Sequence, residues 1–581
     1  MDKQLSVNEV SQRGAILGNR HMISAGHYLA AHAGFEVLEA GGNAVDAGVA
    51  AGLVIGVVLV DYVNIAGVAP MMIYLAERDE LVTLAGVGTW PKAATCEYFQ
   101  KKHGGKIPRG LERVVVPAAP DAYLTALEKY GTMSFAEVAK YAIRFAGEGF
   151  PAHPLIAHNF AKHEAEHREW PQNAEVFLPG GKPPQVGRLF VQADLAKSLQ
   201  YMADQEAAAK SKSREAGIRA ARDAFYKGDI AAAIAKYHAE NGGLMTMEDL
   251  AGFKVEMAPA VGSRFGDIDV YGCGPWCQGP VIPMALNILK GYDLKGMGHN
   301  SIEYVHTLTE AFKLVFADRE RYIGDPNFVD VPLDGMMSDA YAELRRTLIR
   351  PDKAWPEMPP AGDPRGMKAV LDEKAPELVG ASGTPNLNDT SYCCVMDRFG
   401  NAFSCTPSDS PHAVPMVPGT GLVPSGRGSQ SWADPKHASS VQPGKRPRLT
   451  PNPAMAMKDG KPLMPFGTPG GDVQIQAMIQ VFLNIFVYGM DPQRAVEAPR
   501  FATQSFPNSF APHHYFPGLL NIEARIPKAV GDRLAEMGNE VKWWDAHSYS
   551  AGAVLAIVRD PETGTLAGAA DPRRATYALG W

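Results

Sequence analysis

Apolar residues recur along this chain with two periods, one helical and one of alternating strands. HYLAAHAGFEVLEA, from His27, carries the helical period and stops at Gly41-Gly42, a C-cap pair. Asn43 is placed to cap a second helix, AVDAGVAAGLVIGVVLV, which is apolar on every side and so predicted to be buried all round. Its most apolar stretch, 48–60, falls short of the roughly 20 residues that a membrane span needs, and Asp46 and Asp61 bracket it. MMIYLAERDELVTLAG reads as two strands joined by a charged turn. Helical patterns follow over 120–150, 190–210 and 215–240, with EAAAKSKSREAGIRAARDAF predicted as an exposed, charged helix. Residues 351–389 carry Pro351, Pro356, Pro359, Pro360, Pro364, Pro376 and Pro385, which predicts a long surface tether. Beyond it the pattern is strand-rich: SYCCVMD, NAFSCTP and GAVLAIVRD read as strands, with a helix, QIQAMIQVFLNIFVYG, between them. The whole reads as an α+β or layered α/β body interrupted near residue 390, without internal repeats.

Composition narrows the class. With 46% hydrophobic and 20% charged residues, the 581-residue chain can bury an ample core, as three or four domains or fewer large ones. Lys+Arg number 56 and Asp+Glu 63, a formal charge of −7, which speaks against a nucleic-acid binder. Cysteines at 96, 273, 277, 393, 394 and 405 are too sparse for a disulfide scaffold and suggest reduced thiols in a cytoplasmic protein. MDKQLSVNEVSQRG has no apolar core of a secretory signal, and no membrane partner is expected.

Three short motifs have weak chemical readings. His163-Glu164-Ala165-Glu166-His167 matches the zinc pattern HExxH, but its surroundings are charged on every side and no third ligand motif follows, so a solvated helix is preferred and no metal or other cofactor is expected. Cys273 and Cys277 are one residue too far apart for a redox CxxC pair. Gly467-Thr468-Pro469-Gly470-Gly471 lacks the lysine of a phosphate loop, yet its backbone N–H groups could face an anion or oxyanion.

Seven stretches, in order over nearly the whole chain, together resemble the gamma-glutamyltransferase (glutathione hydrolase) family of N-terminal-nucleophile hydrolases. They are Gly41-Gly42-Asn43-Ala44-Val45-Asp46-Ala47; Ala317-Asp318-Arg319 through Tyr322-Ile323-Gly324-Asp325-Pro326, with Phe328-Val329 and Val331-Pro332; and Asn388-Asp389-Thr390-Ser391 with Asp397 and Gly400-Asn401-Ala402. Then come Gly444-Lys445-Arg446-Pro447 with Pro451 and Pro453, the Gly467–Gly471 run, Tyr488-Gly489-Met490-Asp491 with Ala498-Pro499-Arg500-Phe501, and Gly568-Ala569-Ala570-Asp571-Pro572-Arg573-Arg574.

The resemblance implies a four-layer αββα sandwich and an inactive precursor that cuts itself between Asp389 and Thr390. The products would be a large subunit of residues 1–389, ending in the 351–389 tether, and a small catalytic subunit of 390–581, with a dimer of such pairs possible. A hydroxyl is a weak nucleophile and needs a base; the α-amine freed at Thr390 supplies one. By the same resemblance Ser408 contacts the nucleophile, and Gly470 and Gly471 offer oxyanion-hole N–H groups.

The departures fall on substrate recognition. Val87 stands where the resemblance expects an arginine for the substrate α-carboxylate, and valine cannot form that bidentate pair. Gln430 replaces an aspartate that holds the α-amine, Ser410 replaces an asparagine, and Leu449-Thr450 replaces tandem serines. The expected activity is therefore a self-processing amidohydrolase or acyltransferase acting on a small-molecule amide with a non-standard acyl group, one that lacks the free α-amine or offers a carboxylate to Arg427 or Arg448. The alternatives are a true gamma-glutamyltransferase and, in another class, an unprocessed binding module; surface exposure is the bland expectation for both arginines.

Overall fold

In a computed structural model, which describes residues 11–370 and 390–581, two seven-stranded sheets lie face to face between helices. One sheet runs in the order Ile16–Gly18, Leu566–Ala570, Leu555–Arg559, Lys461–Gly467, Ala454–Lys458, Ile268–Gly272, Val261–Phe265. The other runs Tyr577–Gly580, Met22–Ala25, Cys393–Met396, Ala402–Cys405, Met71–Leu75, Glu80–Leu84, Met257–Pro259. Every neighbouring pair in both sheets is antiparallel.

Strand alternation builds the layers. Successive side chains point to opposite faces, so Cys393 and Val395 join the helices Tyr28–Glu39 and Ala44–Val58, while Cys394 and Met396 face the other sheet. In the first sheet Met455, Met457, Leu555 and Ile557 point inward between the sheets. Ala454, Ala456, Val554 and Ala556 meet Val281–Leu289, Ile302–Tyr322 and Gln474–Phe486. An apolar core fills each of the three interfaces between layers, and the fold is the αββα sandwich expected.

The helix Ala44–Val58 is buried along its whole length, and Asn43 caps it in a reciprocal box with Asp46. Two expectations need correction. The charged stretch near 210 is two helices, Ala193–Ala209 and Arg214–Tyr226, and neither is merely solvated. Ile218, Ala221 and Phe225 are buried, and the Glu206 carboxylate accepts from the N–H groups of Phe135 and Ala136. The proline-rich segment is stapled down as far as residue 370: Trp355 N donates to Glu310, Met358 N to the Tyr515 hydroxyl and Gly362 N to Asp318. The rest of the predicted tether, with Asp389 on the acyl side of the expected cut, lies outside the described residues.

Among the described residues no helix is long and apolar enough to cross a membrane.

Candidate active site

Thr390 enters the second sheet just ahead of the strand Cys393–Met396 and is 1% exposed. Its neighbour is set by backbone pairing: Thr390 bridges Ser408 in antiparallel register, and Ser408 bridges Val68 on its other side. Ser391 N donates to Pro407 O (3.0 Å) and Ser408 N to Val68 O (3.0 Å), which fixes the two hydroxyls side by side, 2.8 Å apart. From there a buried polar chain continues. Arg427 Nη2 donates to Ser408 Oγ, Arg427 Nη1 to Gln430 Oε1 (3.3 Å), and Gln430 Nε2 to Thr450 Oγ1 (3.0 Å). The structure thus brings together Thr390, Ser408, Arg427, Gln430 and Thr450, residues spread over 60 positions of sequence.

A cavity of about 700 Å³ meets this polar network at Arg427; Thr390 and Ser408 are not among the residues that line it. Ser410, Arg427, Ser429 and Phe510 line it, and the Arg427 guanidinium lies 5.2 Å from the Phe510 ring centre. Gln430 and Thr450 stand behind Arg427 rather than in the wall. Val87 is further removed, fully buried in the apolar layer between the sheets with Val68, Trp276, Tyr392 and Leu449. The two arginines are not surface groups, as the bland expectation had it: Arg427 is 2% and Arg448 1% exposed. Arg448 is not in the cavity wall either. It donates to Glu320 (2.7 Å) and to Arg319 O (3.0 Å), and its guanidinium lies over Trp432.

Gly470 and Gly471 follow the strand Lys461–Gly467 with φ of 122° and 57°, a conformation that favours glycine and turns the chain into the helix from Gln474. Gly467, at the end of that strand, abuts the ring of Tyr392, two residues past Thr390.

Asp409 has no role in the sequence reading. It sits between Ser408 and Ser410 at φ 137°, strained for a residue with a Cβ. Asn64 Nδ2 holds its carbonyl (2.9 Å), and its carboxylate accepts from Ser425 Oγ (2.6 Å) and Gly426 N (3.2 Å) and lies 3.7 Å from Arg427 Nε. Burial pushes this carboxyl up, with Arg427 opposing. Burial likewise lowers Arg427, with Asp409 opposing. The only signal in sequence is its position between two serines already singled out.

The HExxH histidines do not share a helix face. A break at His163 separates Pro154–Lys162 from Glu164–Arg168. The His163 ring stacks on His412 at 4.0 Å, while His167 packs on Phe160 and Phe177. Among the described residues no three His, Cys, Asp or Glu side chains cluster to hold a metal, and all six cysteines are free thiols.

Comparison with known proteins gives this geometry a context. The gamma-glutamyltranspeptidase family model matches residues 30–581. The chain belongs to that family. Among relatives, the glutathione hydrolase-like YwrD proenzyme of Bacillus subtilis is 31% identical over 97% of this chain and 99% of its own. The acylase ACY 1 proenzyme of a Pseudomonas strain (SE83) is 32% identical over 95% and 92%. A cephalosporin acylase from Bacillus halodurans superposes with a TM-score of 0.85 at 28% identity, over 100% of this chain and 99% of that one. The protein is therefore a gamma-glutamyltranspeptidase-family enzyme with the N-terminal-nucleophile hydrolase fold. In sequence identity the glutathione hydrolase-like relative and the acylase stand level, at 31% and 32%.

Proposed function

We propose that this protein is a self-processing amidase or acyltransferase whose nucleophile is Thr390 and whose acyl substrate is not a free gamma-glutamyl zwitterion. The observation that carries the reading is the 2.8 Å contact of Thr390 Oγ1 with Ser408 Oγ, which is itself held by the Arg427 guanidinium.

In the precursor, Thr390 Oγ1 attacks the carbonyl carbon of Asp389. The peptide C–N bond breaks as the C–O bond forms, giving an ester and a free α-amine, and water then hydrolyses the ester. The mature Thr390 carries nucleophile and base on one residue. Its amine takes the hydroxyl proton as Oγ1 attacks the substrate amide, and returns it to the leaving amine. Ser408 orients Oγ1. The N–H groups of Gly470 and Gly471 receive the developing oxyanion; losing one such donor typically costs about 10²–10³ in rate. Water or an amine resolves the acyl-enzyme.

Recognition of a gamma-glutamyl group would need a cation for its carboxylate and an anion for its amine. Val87 is walled into the apolar layer, and Gln430 is neutral, its amide spanning Arg427 and Thr450. An ammonium facing Arg427 would meet a like charge. A gamma-glutamyl anilide and a panel of acyl anilides without an α-amine, assayed with and without an amine acceptor, test this. Turnover of the second class well above the first is expected; efficient gamma-glutamyl turnover would make the protein a true gamma-glutamyltransferase.

A further inference from the structure

Two adjacent backbone N–H groups lie buried with nothing to bond. Gly470 and Gly471 are both buried, and among the described residues neither N–H has a hydrogen-bond acceptor. A buried amide N–H without a partner is rare and costly, so two of them side by side point to an acceptor that arrives from outside. The turn that carries them also touches the polar network of the nucleophile. Gln278 Nε2 donates to Gly471 O (3.3 Å) and to Thr450 O (2.8 Å), and the Thr450 hydroxyl accepts from Gln430 Nε2. Through Gln430, Arg427 and Ser408 the glycine turn and Thr390 share one framework.

The direction of each N–H is set from behind. A peptide is planar, and both of these are trans, so C=O and N–H point opposite ways and whatever holds the one aims the other. Gly470 O, on the peptide of the Gly471 N–H, accepts from Val473 N (3.0 Å) within the turn itself. Pro469 O, on the peptide of the Gly470 N–H, accepts from the Thr468 hydroxyl (2.9 Å). That hydroxyl is fully buried and in turn accepts from Ala553 N (2.8 Å), so its one proton is committed to Pro469 O. The segment that carries Ala553 is itself held: Arg500 Nη2 donates to Gly552 O (3.1 Å) and Val554 N to Asp571 (3.2 Å). Close packing backs the contact, since a Cβ on Gly552 would lie 2.8 Å from Thr468 Oγ1 and 3.1 Å from Pro469 O.

We infer that Thr468 is a positioning residue for the oxyanion hole: its hydroxyl, fixed by Ala553 N, aims the Gly470 N–H by holding Pro469 O. The inference rests on Thr390 as nucleophile and on Gly470 and Gly471 as the oxyanion donors. The role needs a hydroxyl, which serine supplies and valine does not. An oxyanion exists only in the transition state and the tetrahedral intermediate, so misdirecting one donor lowers kcat and leaves KM nearly unchanged.

The test compares Thr468→Val, which removes the hydroxyl at nearly constant shape, with Thr468→Ser, which keeps it. Intact mass first shows whether the wild type is cut ahead of Thr390; an uncut wild type removes the nucleophile and this inference with it. Turnover is then measured on whichever acyl p-nitroanilide the wild type handles fastest. Thr468→Val is expected to lower kcat by about 10–100-fold, less than the 10²–10³ typical of losing a donor outright, with KM within about threefold. Thr468→Ser should stay within about threefold of wild type in both constants. A Thr468→Val chain that melts at the wild-type temperature but stays uncut supports the inference when Thr468→Ser is cut normally, since self-cleavage also passes through an oxyanion. A Thr468→Val chain that does not fold hands the same comparison to Thr468→Ala. An unchanged kcat in Thr468→Val, a loss carried by KM, or a Thr468→Ser enzyme as slow as Thr468→Val would each overturn the inference while leaving Thr390 as the nucleophile.

Discussion

Ser408 is the side chain through which backbone pairing reaches the chemistry, since its hydroxyl lies between Thr390 Oγ1 and Arg427 Nη2. Ser408→Ala should lower kcat and slow maturation, each by about 10–100-fold, because a hydrogen bond involving a charged group contributes roughly 1.5–3 kcal/mol. Stopped-flow turnover and a maturation time course check this; unchanged rates would remove Ser408 from the site. The pH profile tests the base. An ordinary α-amine titrates near about 7.7–8.0, and burial beside the Arg427 cation favours its neutral form. Since the neutral amine is the active one, kcat/KM should rise with pH to a midpoint at or below that range, whereas a flat profile would argue against amine catalysis. Thr390 could be singled out because it sits in a motif whose order along the chain is distinctive, and Ser408 because it aligns with a family threonine. Asp409 was not, because what singles it out is a backbone angle and a buried place beside Arg427, and neither is written in local sequence.

The buried helix Ala44–Val58 shows how far periodicity carries. Its all-round apolar surface and Asn43 cap were legible because capping and burial depend on neighbours in sequence. Its tight packing was not. A Cβ on Gly48 would come within 2.1 Å of the Phe403 ring, which is itself fully buried. Gly48→Ala gains at most about 1 kcal/mol of helix propensity, against about 1–3 kcal/mol for overpacking, so net destabilisation is expected in urea unfolding. A more stable variant would contradict that packing. The misread exposure of the stretch near 210 has the same origin. Its charges are real, but Glu206 faces inward to the N-terminus of the helix Phe135–Gly147, an arrangement set by tertiary contacts.

Across the molecule, several motifs that identify the family are buried ion pairs between distant segments. Arg446 pairs with Asp325, Arg319 with Asp472, Arg500 with Asp571, and Arg573 with Glu523 as well as with Asp571 of its own motif. The four layers were harder to read, because strands covered on both faces lose the polar alternation that marks a surface strand. Burial pushes the Asp571 carboxyl up, but Arg500 and Arg573 outweigh it and hold it below the usual range. The unfolded chain therefore binds that proton more readily. Its contribution is present above the ordinary carboxylate range and is lost as pH falls through it, below about pH 4. Asp571→Asn should lower Tm at pH 7 and flatten the acid limb of Tm against pH; an acid limb identical to wild type would show that this pair does not set it. The layers also bear on processing. Cys393–Met396 lies between Met22–Ala25 and Ala402–Cys405, so pieces from either side of residue 390 would stay interleaved in one sheet and separate only on denaturation. The most direct test of the nucleophile is intact mass and N-terminal sequencing of the denatured protein and of Thr390→Ala. The account predicts a wild-type fragment that begins Thr-Ser-Tyr and a variant that remains one chain of 581 residues. A wild type that is never cut, or a variant still cut at the same bond, would contradict it.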